Sequence, residues 1–200
     1  QGVVKFMIYG VLPDGNYILP YGDVDWPFLI AHDRATVLLA TDAANSEHGQ
    51  YWLNHVYGMD GYWAYTDMIF YDAARAEQSF DTLPKGSYFP GIGLAVFRSG
   101  WGPNDTYVAF KSSDYHTYHQ SNAQNAFYIY KSAPLAVRTG VYDGDVHDHN
   151  VNYLIRTIAQ NCVTVFDPTE TFSYPDGIPD DNDGGQLVQE WTGEHHNFTE

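Results

Sequence analysis

Cysteine occurs once in these 200 residues, at Cys162. An intramolecular disulfide and a multi-cysteine zinc site are therefore excluded. Basic residues are also scarce: 9 Lys and Arg stand against 25 Asp and Glu, for a formal net charge of −16. So negative a surface repels nucleic acid and anionic membranes, which removes both as bulk electrostatic partners. No apolar run approaches the roughly 20 residues that a membrane-spanning helix needs. No basic stretch followed by an apolar core opens the chain, so no signal peptide is expected within it. The first residue is Gln1 rather than Met, which points to a processed product or a fragment. Also missing are a His-Glu-x-x-His helix, a phosphate-cradling Gly loop and a Gly-x-Ser-x-Gly elbow. Serine-nucleophile and nucleotide chemistries leave the leading set with them.

What is present is apolar and above all aromatic. Apolar residues make up 44% of the chain, enough for a packed core, and the length suits one large domain or two small ones. Seventeen tyrosines, 11 phenylalanines and 5 tryptophans amount to 16%. Two readings of that content stand. Aromatic faces stack on the apolar C–H faces of sugars, and tyrosine hydroxyls bond sugar hydroxyls. Aromatic-rich β-cores need no ligand at all.

The first 90 residues read as mostly helical. Val11 to Asn16 is a turn signal, and Asp25-Trp26-Pro27 caps a helix start. The run Phe28 to Ala44 puts Phe28, Ala31, Ala35, Leu38, Leu39 and Ala43 at helical spacing. Asn45-Ser46-Glu47 restarts a shorter helix to about Val56. A third helix is expected over Tyr62 to Gln78, with Met68, Ile69 and Ala73 on one face. Near residue 88 the pattern changes. Leu94 to Arg98, Thr106 to Lys111, Ala126 to Lys131, Pro134 to Arg138 and Cys162 to Phe166 are β-rich runs, with Ser132-Ala133 as a hairpin turn. The expected fold class is α+β, with an antiparallel sandwich that is unfinished at residue 200.

Polar chemistry concentrates late in the chain. His116, His119, His147 and His149 are interspersed with Tyr115, Tyr118, Tyr142 and Tyr153. His and Tyr are the usual proton-transfer groups when the acid is a carbon; a plain polar loop region is the simpler reading. His147-Asp148-His149 alternates along the chain as a weak metal clasp does. Residues 157–200 contain no Lys or Arg and nine acids. Asp176, Asp180, Asp181 and Asp183 form a candidate calcium loop without full EF-hand spacing, and a solvated acidic loop is the alternative.

Taken in order, several short motifs resemble the heparinase II/III-like polysaccharide lyases. They begin with Gly93-Leu94-Ala95-Val96-Phe97-Arg98-Ser99-Gly100-Trp101. Then come His119-Gln120, Phe127 to Lys131, Pro134 to Val137 and Gly140-Val141-Tyr142. Asn152-Tyr153, Arg156 to Ala159, Asn161 and Asp183 to Gln186 complete the set, which covers about residues 88–187. Tyr9-Gly10, Pro13-Asp14-Gly15 and Gly22-Asp23 match the family's helical part more loosely.

The resemblance implies the C-terminal part of an (α/α) toroid over residues 1–87, an antiparallel β-domain over 88–200, and a sugar cleft between them. It implies β-elimination: removal of the C5 proton of a uronic acid and expulsion of the 4-O-linked sugar, on a glycosaminoglycan, alginate or ulvan. A non-catalytic glycan-binding or scaffold relative is the alternative. His119 and Tyr142 are the implied catalytic residues, with Tyr118, Arg98 and Arg156 binding substrate. The implied partners are an anionic polysaccharide and other parts of the same or a cleaved polypeptide, and the implied location is secreted or periplasmic. The family's catalytic tyrosine lies upstream of this chain. Arg98, Lys111, Lys131, Arg138 and Arg156 offer a local positive cleft on an acidic body, since charges beyond about 8 Å are screened at physiological salt. The family's structural zinc positions fall on Ser121, Arg138 and Gln160, with a further aspartate position on Ala123. None is a good zinc ligand, so loss of the metal is expected, with Arg138 supplying the charge.

Overall fold

The computed structural model describes residues 2–21, 34–56, 64–112, 121, 123–140, 142 and 149–162. Four helices come first: α1 (Gly2–Gly10), α2 (Arg34–Ala44), α3 (Glu47–His55) and α4 (Ala64–Phe70). Five strands follow: β1 (Gly86–Phe89), β2 (Leu94–Arg98), β3 (Tyr107–Lys111), β4 (Phe127–Tyr130) and β5 (Pro134–Ala136). The strands form one antiparallel meander in the order β1-β2-β3-β4-β5.

Local chemistry sets the helix ends. Ser46 holds extended backbone and its hydroxyl accepts the Gly49 N–H at 3.0 Å, so α3 starts with a side-chain cap. Gly49 also permits close packing on α2: a Cβ there would sit 2.1 Å from Thr41 Oγ1. The expected third helix is shorter than the spacing predicts and stops at Phe70. Asp72 explains the stop. Its carboxylate accepts the Ala74 N–H at 2.9 Å, a local turn that competes with helix. Its carbonyl accepts from the Gln50 side chain at 3.1 Å. The following residues strap across α2 and α3 through Arg75–Asp42 at 2.7 Å, Glu77–His55 at 2.9 Å and Glu77–Asn54 at 2.6 Å.

The buried stripes also differ from the apolar spacing. On α2 the inward face is Arg34, Val37, Leu38 and Thr41, while Leu39 and Ala43 are exposed. On α4, Met68 and Ile69 are exposed and Ala73 lies beyond the helix. The cause is an ion pair that apolar periodicity does not register. Arg34 donates through Nη2 and Nε to Asp67 at 2.7 and 3.0 Å, and through Nη1 to the Leu53 carbonyl at 2.7 Å. One buried guanidinium thus joins α2, α3 and α4, and it decides which side of each helix turns inward.

Helices and sheet share one apolar cluster running from Val4, Ile8, Leu38 and Trp52 to Val96, Tyr107, Ala109 and Tyr128. The sheet's covered face carries Leu94, Val96 and Arg98, then Tyr107, Ala109 and Lys111, then Tyr128 and Tyr130. The opposite face pairs Phe97 with Val108 and Val108 with Ile129, and Ala95 with Phe110 and Phe110 with Phe127. That face is apolar too, and Phe97 and Phe127 are exposed on it. Of the runs read as strands, Thr106 to Lys111 and Ala126 to Lys131 shorten at the ends, and the last sheet strand ends at Ala136 rather than Arg138. Cys162 sits in a bend, and Val163 to Phe166 lie outside the described residues, as does the helix start at residues 25–33.

Two stability predictions follow from these contacts. Asp67→Ala leaves the Arg34 charge buried without its carboxylate and should lower unfolding free energy by about 3–5 kcal/mol. Adding Arg34→Met should recover much of that loss in chemical denaturation. The second concerns Asp105, whose carboxyl lies below its usual range because Ser99 Oγ donates to it, followed by the Gly102 N–H. A depressed carboxyl stabilises the fold above the unfolded-state value and loses that contribution as pH falls through the folded-state value. Asp105→Asn should therefore be less stable at neutral pH, with the gap closing below the ordinary value of about 3.9.

Candidate active site

The helical layer meets the sheet at Arg98. Its Nη2 donates to the Val11 carbonyl and, at 3.4 Å, to the Tyr9 carbonyl. Both carbonyls lie at the C-terminal end of α1, where backbone acceptors lack helical partners and a cation is favoured. The guanidinium is sandwiched by aromatic faces, 4.6 Å from the Trp101 ring centre and 4.8 Å from that of Tyr107. Burial lowers its pKa to about 10, so it stays charged at neutral pH. Tyr9 completes the joint by donating its hydroxyl to the Pro84 carbonyl at 2.6 Å and meeting Trp101 edge-on at 5.2 Å.

Beyond β5 the chain turns at Gly140, whose φ of +86° is a left-handed value. A Cβ there would meet His149 Nε2 at 3.0 Å, Leu154 Cδ1 at 3.1 Å and Tyr153 Cε1 at 3.2 Å. Gly140 therefore packs closely against a π-helical turn, Asn150–Leu154. Such turns are rare and frequent at functional sites. Tyr153 hydrogen-bonds Thr139 Oγ1 at 2.6 Å, and its ring centre lies 5.4 Å from that of His149. The ring contact between His149 and Tyr153 brings together two residues that spacing alone left among loop residues. Arg156 follows immediately and is half-buried.

A second polar group lies against the covered face near β4. Tyr128 is buried, and burial raises its hydroxyl pKa while the Arg138 charge opposes the rise. Lys111 is fully buried, with Nζ 5.7 Å from the Tyr21 ring centre. Burial pushes the Tyr21 hydroxyl up to about 12. Three of the five cations expected to line a positive cleft, Arg98, Lys111 and Arg138, are thus core residues. Lys131 is exposed and Arg156 half-buried. A sequence shows where cations fall along a strand, but not that their side chains will be buried, nor that aromatic faces and helix-end carbonyls will hold Arg98 inside.

The structure separates the predicted site residues into three sets. Tyr142, two residues after Gly140, and Arg156, just past the π-helical turn, are both half-buried. Arg98 sits instead at the helix–sheet joint, 8% exposed, its guanidinium engaged by backbone and rings. His119 and Tyr118 lie outside the described residues, with Tyr115, His116, His147 and the Asp176 to Asp183 loop. At the implied metal positions, Ser121, Ala123, Arg138 and Gln160 are all buried. A hydroxyl, a methyl, a guanidinium and an amide are not a divalent-metal donor set. Among the described residues no group of three His, Cys, Asp or Glu side chains converges to hold a metal. None of the described helices is long and apolar enough to cross a membrane.

No protein-family model matches the sequence, and no curated protein matches it. Solved structures do resemble the fold. The heparan sulfate lyase HepC from Pedobacter heparinus is 19% identical with a TM-score of 0.53, over 78% of this chain and 22% of that one. Heparinase III is 16% identical with a TM-score of 0.56, over 79% of this chain and 24% of that one. The chain therefore spans less than a quarter of either lyase's length. At this identity the likeness establishes a shared fold over that part: helices followed by an antiparallel five-stranded sheet.

Gly140→Ala tests the turn that organises this site. A side chain there meets His149, Leu154 and Tyr153 and adopts an unfavoured φ, so a loss of about 1–3 kcal/mol is expected. Nuclear magnetic resonance signals of Tyr142, His149 and Tyr153 should shift together. Unchanged stability and spectra would separate the turn from the π-helical segment.

Proposed function

We propose that this chain is part of a polysaccharide lyase that cleaves a uronic-acid-containing polysaccharide by β-elimination. One observation carries the reading: the helix-then-meander arrangement is the one it shares with heparan sulfate lyase and heparinase III structures. In this reading residues 1–87 are the end of a helical toroid and residues 88–200 begin a β-sandwich. The exposed apolar row of Phe97 and Phe127 supports a second layer, because a solvated sheet face normally carries polar residues. The protein as a whole is secreted or periplasmic, where such polymers occur.

The chemistry starts from a weakly acidic carbon. The C5 proton of a uronate is α to a carboxylate, and its removal places negative charge on that group. Hydrogen bonds or cations at the carboxylate stabilise the enolate-like transition state. His119 is assigned to proton or charge work at this centre, and Tyr142 to the substrate cleft. Arg156 and Tyr118 are assigned to the anionic chain. Arg98 is left to the helix–sheet joint, where its donors are already committed. The tyrosine that protonates the leaving 4-oxygen belongs to the upstream part of the polypeptide. No step is routed through a metal, since Ser121, Arg138 and Gln160 offer no ligand set.

Elimination creates an unsaturated uronate that absorbs in the near ultraviolet. The polypeptide carrying this chain should generate that absorbance on a glycosaminoglycan, alginate or ulvan. His119→Ala should reduce turnover by about 10²–10⁴-fold, the usual contribution of a positioned acid–base group. Binding of these polymers without any absorbance would replace the lyase reading with a non-catalytic glycan-binding one. A near-normal rate in His119→Ala would remove that residue from the site.

A further inference from the structure

Three passages of chain converge beside the entry to β4. The turn from Ser121 to Ala126 leads in, with the Ala126 N–H donating to the Ala123 carbonyl at 3.0 Å. The Phe127 N–H donates to the Asn161 carbonyl at 2.9 Å, which brings the segment after the π-helical turn alongside. The Thr139 N–H donates to the Ala159 carbonyl at 2.8 Å, so Arg138 and Gln160 flank one shared link. Gln160 Nε2 is fixed on the Leu154 carbonyl at 2.8 Å. Arg138 is 3% exposed, and its charge acts on the buried Tyr128 hydroxyl. Ser121 Oγ, Gln160 Oε1 and the Tyr128 hydroxyl are buried polar atoms that bond neither Arg138 nor any other described residue, so Arg138 is the one formal charge among them.

We propose that Arg138 is the resident cation of this interior, placed where the three passages meet, and that the protein holds its fold here without a divalent metal. The donor chemistry is the first argument. Ser121, Ala123 and Gln160 bring no carboxylate, imidazole or thiolate, and a permanent guanidinium repels a metal ion. The second is the character of arginine. Five donors in a planar fork can serve acceptors on several passages at once, and the group does not shed its charge on burial. The third is position. A buried ion is tolerated only where partners surround it, and this one lies where strand, turn and π-helical segment meet. Such a cation is part of the chain, so no chelator removes it. The inference concerns the fold's cation alone and stands whether or not the protein is a lyase.

The test uses the purified protein, elemental analysis and thermal unfolding. We expect substoichiometric zinc and calcium, and a melting midpoint that neither chelator nor added zinc changes. Arg138→Met should lower the midpoint by about 5 °C or more, the shift that a loss of a few kcal/mol gives in a domain of this size. Arg138→Lys, which keeps the charge but not the fork, should fall between the parent and Arg138→Met. Stoichiometric metal together with a midpoint lowered by chelator would overturn the proposal. So would Arg138→Met as stable as the parent, or Arg138→Lys no better than Arg138→Met. Should both variants fail to fold, metal content and chelator response of the parent protein decide the question.

Discussion

The contact between Arg98 and the end of α1 fixes how the helical layer sits on the sheet. A helix ends with carbonyls that have no partner inside it, and burying them bare is costly. Here the Gly10 carbonyl accepts the Leu19 N–H at 2.8 Å, and Arg98 takes those of Tyr9 and Val11. The cation comes from β2, so satisfying the helix end also sets the helix against the strand. Trp101 and Tyr107 enclose the guanidinium, and Tyr9 reaches on to Pro84. A second tie, Tyr130 donating to Asp14 at 3.0 Å, holds the following turn to β4. With both in place, one apolar cluster extends through helices and sheet.

The sheet that results is unusual in the distribution of its polarity. Its covered face contains Arg98, Lys111 and four tyrosine or leucine anchors, whereas its outer face is almost wholly apolar. Arg98 is held by two aromatic rings and two backbone carbonyls, and Lys111 lies over the Tyr21 ring. The same choice strips the surface of positive charge. The net charge is −16, and of the five β-region cations three lie inside, leaving Lys131 exposed and Arg156 half-buried. The outer apolar face, meanwhile, has the character of an internal layer boundary.

Much of the fold was legible from local signals. Ser46 capping a helix, the β-rich runs from Leu94 onward and the hairpin at Ser132 follow from propensity and turn chemistry, which act over a few residues. The inward face of α2 was not legible, because Arg34 and Thr41 occupy it and the apolar residues Leu39 and Ala43 do not. The length of α4 was not legible from apolar spacing either, because Asp72 turns the chain locally onto Ala74 while Gln50, 22 residues away, holds its carbonyl. For the candidate site, Gly140, Tyr142 and Tyr153 could be named from the sequence. The left-handed turn at Gly140 packed on Tyr153 and His149, with those two rings in contact, required coordinates.

By itself the sequence determined what depends on composition and short range: the single thiol, the acidic excess, the helix-to-strand change near residue 88, and the unsuitability of Ser121, Arg138 and Gln160 as metal ligands. Ligand chemistry belongs to residue type, so no folding is needed to judge it. Tertiary structure alone decided the fate of each charge. Whether an arginine faces solvent, caps a helix or is shut into the interior depends on which carbonyls and rings arrive beside it from elsewhere in the chain. Arg34, Arg98 and Arg138 are all buried, and the partners the structure gives Arg34 and Arg98 are up to 89 residues away in sequence. Burial penalises an isolated charge so steeply that those distant partners, rather than the local pattern, select the position of each.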